Sequence, residues 1–306
     1  MQYVENPFTP FSGATPEVVV SSEGQMNRLF NYFYTDATNH TQRPLIIYGA
    51  EKSGKTVALN YLENLAYTES YLLAHIEATN DKVFFEAVKN ALAKLSLKLS
   101  DESATTEESD DFAFYPYAVR ENIANSNTVY GDDLTYSFVE LGKSAAASET
   151  TVCIFVDDMH NLSKNGFQEL LPALHRCTQL NLPIAFVGTG LPSIKKKLAD
   201  AVSYSERLFI FEELLPLNRQ ETQIALSTQL PDGYGIVYDD SAMDAIMEET
   251  KGQPFLIQAL AHAIFEIAKP NEKLQIITDS DVEIAIRDPD YLQLTFSERN
   301  KKDLID

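Results

Sequence analysis

Gly49-Ala50-Glu51-Lys52-Ser53-Gly54-Lys55-Thr56 is a complete G-x-x-x-x-G-K-[ST] string, and its flanks are those the pattern requires. The apolar run Pro44-Leu45-Ile46-Ile47-Tyr48 before it predicts a short buried strand. Thr56-Val57-Ala58-Leu59-Asn60-Tyr61-Leu62 after it carries apolar residues at helical spacing. A glycine-rich turn at a helix start points backbone N–H groups inward at an anion, here the phosphates of a nucleoside triphosphate. Gly49 and Gly54 let the chain turn tightly and approach those phosphates. Lys55 is placed to reach the β- and γ-phosphates, and the Thr56 hydroxyl to hold Mg²⁺. Ala50, Glu51, Lys52, Ser53 and Val57 complete the cradle. Read by itself, the octapeptide also fits an ordinary glycine turn between strand and helix.

A second string narrows the choice. Val152-Cys153-Ile154-Phe155-Val156 is wholly apolar and ends in Asp157-Asp158, the form of a buried parallel strand with acids at its C-terminal tip. Ligands of doubly wound sheets bind at that edge. Asp157 is the candidate to hold Mg²⁺ through its water shell, and Asp158 to polarise an attacking water. Two acids after a strand also describe a solvated strand end. A phosphate loop about a hundred residues upstream selects the metal-site reading.

The chain has 306 residues, 44% hydrophobic and 23% charged, enough for one large domain and a smaller one. No apolar run is long enough to span a bilayer, and Met1 to Asn6 lacks a basic region followed by an apolar core, so the expected location is the cytoplasm. Cys153 and Cys177 are the two cysteines and read as buried small hydrophobes. The five histidines lack metal-ligand spacing, and His160 alone lies near the presumed chemistry. A net charge of −21 disfavours binding nucleic acid through its phosphates. Lys195-Lys196-Lys197 is the one compact basic run and reads as a solvated helix face.

Along the chain, Asn6 to Gly13 predicts an extended segment over the nucleotide domain, and a helix ends near Phe33 with Met26, Leu29, Phe30 and Phe33 on one face. Tyr71 to Ile76 predicts a strand and Val83 to Leu99 an amphipathic helix. Ser100 to Asp111 is an acidic stretch that predicts a mobile loop, with an aromatic cluster from Phe112 to Tyr117 behind it. A helix from about Phe167 to Leu180, a strand over Pro183 to Gly188 and another over Arg207 to Phe211 complete the alternation. This argues for an α/β, three-layer fold around a parallel sheet over residues 1–216. Beyond Pro216 helices alone are expected, with N-caps at Asn218, Asp240 and Asp279, forming a small all-helical lid domain over 217–306.

Taken together, these motifs resemble the AAA+ P-loop ATPases of the origin-recognition-like and STAND-like branch. Further marks are Asn6-Pro7-Phe8-Thr9-Pro10, Val187-Gly188-Thr189-Gly190-Leu191-Pro192, Tyr204-Ser205-Glu206-Arg207-Leu208-Phe209 and Gly252-Gln253-Pro254-Phe255-Leu256-Ile257-Gln258. The resemblance implies ATP and Mg²⁺ as ligands. It makes Thr189 a polar sensor of the γ-phosphate or the attacking water, with a turn cap as the alternative. Arg207 becomes the finger that completes a neighbour's site, with a structural ion pair as the alternative. Pro254 falls in a GxP element that packs near the nucleotide. Asp158 departs from the longer Glu common at its position, and no basic residue stands where a second-sensor arginine is usual. Ser21-Ser22-Glu23-Gly24 replaces the usual Gly-Arg pair on the base side, and the chain ends at Asp306, where relatives often continue into a winged helix. Three functions follow: an ATPase working as a conformational or assembly switch, a nucleotide-stabilised scaffold with negligible hydrolysis, and a DNA-transaction regulator. Self-association or a protein partner accompanies the first two.

Overall fold

The computed structural model describes residues 6–10, 16, 19–21, 24–34, 43–100, 133–230, 236–268 and 275–302, without the side chains of 33–34 and 297–302. The acidic stretch beyond Ser100 and the aromatic cluster 112–117 lie outside the described residues. In chain order the elements are α1 (Gln25–Tyr34), β1 (Leu45–Gly49), α2 (Lys55–Thr68), β2 (Leu72–Glu77), α3 (Asp81–Ser100), α4 (Leu134–Ala147), β3 (Val152–Asp157), α5 (Lys164–Gln179) and β4 (Ile184–Gly190). There follow α6 (Ile194–Ala201), α7 (Ser205–Leu208), β5 (Ile210–Leu214), α8 (Arg219–Ser227), β6 (Ile236–Tyr238), α9 (Asp240–Thr250), α10 (Pro254–Ala268), β7 (Gln275–Ile277), α11 (Asp279–Ile286) and α12 (Pro289–Lys302).

Contacts divide the chain into two compact units. Asn27–Gly49 with Ala58–Glu213 carries a five-stranded parallel sheet in the order β2-β3-β4-β1-β5. Strand β3 pairs with β2 from Leu72↔Val152 to Glu77↔Asp157 and with β4 from Val152↔Ile184 to Val156↔Gly188. Every residue of β1, β3 and β4 is buried, which is why these strands are continuous apolar runs and do not alternate. At about 1.5–3 kcal/mol for each fully buried large aliphatic or aromatic side chain, the central strands anchor this unit. Cys153 and Cys177 belong to the same core. Burial pushes both thiols up, Cys177 to about 12, so they stay protonated and serve as small hydrophobes.

Two details differ from the sequence expectation. Arg207 and Leu208 are not in a strand: they form the short α7, and β5 starts at Ile210. The Arg43 guanidinium donates to the Arg207 carbonyl at 2.9 Å and the Phe209 carbonyl at 2.7 Å, while the Ile210 N–H bonds Pro44 at 2.8 Å, so pairing begins only there. Helix α4 is an additional element, capped by the Asp133 carboxylate, which accepts from the N–H groups of Thr135 and Tyr136.

The second unit comprises Met1–Met26, Ala50–Val57 and Leu214–Asp306. It is not helices alone: β6 and β7 pair in parallel over Ile236↔Gln275 to Tyr238↔Ile277. Helix α8 is capped by Asn218 in a full capping box with Glu221, as expected. The other two caps fall one residue earlier than expected: the Asp239 carboxylate accepts the Ala242 N–H at 2.8 Å, and at Thr278 the Asp281 carboxylate reaches back to accept the Thr278 N–H at 2.9 Å. The Asn6–Pro10 segment is anchored on α10. Asn6 Nδ2 donates to the His262 carbonyl at 3.1 Å and to Glu266 at 2.8 Å, and His262 Nδ1 lies 2.9 Å from the Phe8 carbonyl. Phe8, 1% exposed, packs edge-on against Phe265. Ahead of α10, Gly252 takes φ +74 and its carbonyl accepts the Leu217 N–H at 2.8 Å.

Candidate functional site

Lys55 opens α2, so the loop 49–56 ends on a helix N-terminus. Its side chain is 8% exposed, and Nζ donates to the Ala50 carbonyl at 2.7 Å, which places the cation inside the loop. Ser53 is 7% exposed and its Oγ is buried without a hydrogen bond among the described residues. Gly54 takes φ +88 and Lys52, though a lysine, takes φ +63. A side chain in that region costs about 1 kcal/mol. The Lys52 ammonium sits 4.9 Å from the centroid of Phe255, the second residue of α10, and this cation–π contact offsets part of that strain. Pro254, the first residue of α10, stands beside it in the chain. Sequence reasoning missed the Lys52–Phe255 pair, since no spacing rule links the two segments.

In the sheet unit, Asp157 ends β3 and is 8% exposed. Thr189 is fully buried in β4, and its hydroxyl donates to Asp157 Oδ1 while accepting the Asp158 N–H at 3.0 Å. The Asp158 N–H also points at Asp157 Oδ1, 3.0 Å away. Asp157, Asp158 and Thr189 are thus brought together by the parallel register of β3 and β4. The hydroxyl of Thr189 is engaged in holding the carboxylate. Asp158 is left-handed, φ 57 and ψ 36, and turns the chain into the 3-10 turn Met159–Asn161. Met159 is fully buried, and a Cβ on Gly188 would lie 2.0 Å from its sulfur, so the bare backbone at 188 makes room for this turn.

Arg207 is exposed on α7 and in no ion pair among the described residues. The lysine run does not form one basic face. All three lysines are exposed, as expected, but their ammonium groups find different partners: Lys196 pairs with Asp200 at 2.5 Å. Lys197 Nζ donates to the His160 carbonyl at 2.5 Å. Lys195 lies 4.1 Å over the Tyr48 ring and donates to its hydroxyl, which in turn donates to Glu213 at 2.9 Å. Successive helix positions point about 100° apart, which is why three neighbouring lysines reach three different environments.

His75 on β2 donates through Nδ1 to Glu63 on α2 at 2.7 Å. Burial, the largest single influence, lowers its pKa, but the Glu63 hydrogen bond and the charges of Glu63, Asp157 and Glu77 together outweigh it and raise it above the ordinary value of 6.5. A raised folded value means the pair stabilises fully below about pH 6.5 and loses that contribution as pH climbs through the folded value. Both side chains are about a third exposed, so the effect is on the order of 0.5 kcal/mol. The stability difference between the parent chain and His75→Gln, followed by thermal unfolding, is expected to shrink from about pH 6 to about pH 9. A gap that is constant or widens would contradict the pairing.

The family model described as AAA ATPase domain matches residues 18–187. Among solved structures, the chain is similar to the Orc1 protein of Aeropyrum pernix in complex with DNA, with TM-score 0.51 and 16% identity over 88% of this chain and 65% of that one. It is similar to Cdc6p of Pyrobaculum aerophilum, with TM-score 0.54 and 13% identity over 87% and 66%. Domain III of the replication initiation protein DnaA of Thermotoga maritima gives TM-score 0.50 and 11% identity over 88% and 93%. At such identities the likeness is one of fold, and the chain spans just under two thirds of the length of the first two. No curated protein matches it.

Proposed function

Because the chain belongs to the AAA ATPase domain family, with the Orc1/Cdc6-like kind of P-loop fold, we propose that it binds Mg·ATP and hydrolyses it slowly to drive a conformational or assembly switch. Residues 1–216 form the nucleotide-binding part in this reading and 217–306 the lid. The observation that carries it is the Gly49–Thr56 loop, with Lys55 turned inward at the head of α2. Its backbone N–H groups and Lys55 bind and orient the phosphates.

Thr56 and Asp157 offer hard oxygen donors, the set that suits Mg²⁺, an ion held by few protein ligands beside phosphate oxygens and water. Held by these two residues, the ion would supply charge neutralisation to the bound phosphates. Thr189 orients Asp157 through its hydroxyl, and Asp158 polarises the attacking water. Arg207, exposed on α7, is available to a second copy of the chain, where a guanidinium would disperse charge in the transition state. Pro254 borders the nucleotide from the lid side.

A second reading, a nucleotide-held scaffold with negligible turnover, draws support from Thr189, whose hydroxyl is engaged with Asp157 and Asp158. A role in DNA transactions is disfavoured by the net charge of −21 and by the dispersal of Lys195, Lys196 and Lys197. The test is steady-state phosphate release from Mg·ATP against protein concentration. Specific activity that climbs with concentration, and that Arg207→Ala lowers by about 10-fold or more, supports shared sites between copies. Tight nucleotide binding with no phosphate release favours the scaffold.

A further inference from the structure

His160 follows Asp158 by two residues, and nothing in the reading above uses its side chain. Its Nδ1 is buried without a hydrogen bond among the described residues, although the side chain as a whole is 21% exposed. The same nitrogen lies 3.6 Å from Asp158 Oδ1, within ion-pair reach but beyond hydrogen-bond distance. The backbone around the pair is tightly held. The Asn161 N–H bonds the Asp158 carbonyl at 2.9 Å, Asn161 Nδ2 bonds Ala78 at 2.9 Å, and Lys197 clamps the His160 carbonyl. Main-chain movement is therefore restricted at both residues, so closing the gap between carboxylate and imidazole falls to the two side chains.

We infer that His160 is a positioning residue for Asp158: its Nδ1–H donates to the Asp158 carboxylate and fixes the direction in which that carboxylate meets water. An unpartnered buried ring nitrogen costs about 1–3 kcal/mol, so the contact is favoured on its own account. The Asp158 side chain is 42% exposed, on a left-handed residue, and one methylene shorter than a glutamate. Two torsions set its carboxylate, and a single charge-assisted hydrogen bond limits both. The nitrogen that faces the carboxylate also fixes the tautomer, leaving Nε2 without a proton in the neutral ring.

The inference rests on the assignment of Asp158 as the water-polarising acid, and the experiment separates the two. Long-range proton–nitrogen NMR spectra of the full chain at about pH 8, with His160 identified by its loss in His160→Asn, are expected to show the proton on Nδ1; a proton on Nε2 overturns the inference without reference to turnover. In Mg·ATP hydrolysis, His160→Leu is expected to lower kcat about tenfold with KM within about twofold. His160→Asn, whose side-chain N–H reaches the same place as Nδ1–H, should recover most of that loss. Unchanged kcat in His160→Leu, or an equal fall in the Asn variant, overturns it. Asp158→Asn is the separating control. If it leaves kcat unchanged, the assignment of Asp158 falls and takes the pairing with it, whereas a large effect there beside a silent His160→Leu removes the pairing alone.

Discussion

Lys55→Ala is expected to weaken ATP binding at least about 100-fold, some 2.7 kcal/mol, and to reduce phosphate release to background. The magnitude follows from where the charge lies. Lys55 is almost fully buried at the start of α2, with its ammonium donating to the Ala50 carbonyl of the same loop. A cation in such a place exchanges a carbonyl for phosphate oxygens with little further desolvation, so its attraction for a polyanion is large compared with that of a surface lysine. The variant retains the helix, since alanine is the better helix former, and the fold should persist. Titration of a fluorescent ATP analogue, with the melting temperature as a check on folding, measures the effect. Affinity and turnover equal to the parent would remove the Gly49–Thr56 loop as the nucleotide site.

The largest expected effect on stability is at Gly252. A Cβ there would lie 2.1 Å from the Leu217 carbonyl oxygen, a backbone atom that cannot turn aside, and φ is +74. The left-handed conformation costs an alanine about 1 kcal/mol, and displacing Leu217 breaks its 2.8 Å bond to the Gly252 carbonyl as well. Gly252→Ala should therefore destabilise by about 3 kcal/mol and lower the melting temperature by roughly 6–12 °C. Neighbouring Lys251 provides the internal control. It is also left-handed, at φ 51, so Lys251→Gly is expected to be neutral or to raise the melting temperature slightly. If both substitutions move the midpoint alike, the turn before α10 does not depend on the close approach of Leu217.

The parts legible in the sequence are those where one local cause dominates. Strands β1, β3 and β4 are buried on both faces, so burial alone makes them apolar runs, and their ends can be read within a residue or two. The Asn218 cap was legible because Glu221 completes a capping box. Where two capping residues stand in succession, as at Asp239-Asp240 and Thr278-Asp279, composition cannot choose between them, and the bonds actually made decide: Asp239 accepts the Ala242 N–H, and Asp281 reaches back to Thr278. Segment 207–211 fits a helical turn or a strand equally well by period. The Arg43 guanidinium, distant in sequence, holds its carbonyls and settles it. Strands β6 and β7, three residues each, are too short to carry a period.

At the site the same division holds. Residue types and spacing pointed to Lys55, Thr56, Asp157 and Asp158. The bond from Thr189 to Asp157 depends on strand register, and the meeting of Lys52 with Phe255 depends on packing between segments two hundred residues apart in number. Neither leaves a trace in a local window. The exposure of Arg207 is likewise a property of α7 that its expected strand concealed.

The order β2-β3-β4-β1-β5 also has a consequence for the chain as it is made on the ribosome. Strand β1, which leads into the loop, finds its sheet neighbours only in β4, where Leu45 is opposite Val187, and in β5, later still. At translation speeds of about 5–20 residues per second, its edges wait on the order of ten seconds for partners. During that interval the apolar Leu45-Ile46-Ile47 stretch is a site for chaperones or for misassociation, and ATP cannot shield it, because the supporting strand of the loop has no sheet to join. Nascent chains released before β4 emerges should therefore be bound by chaperones and indifferent to nucleotide.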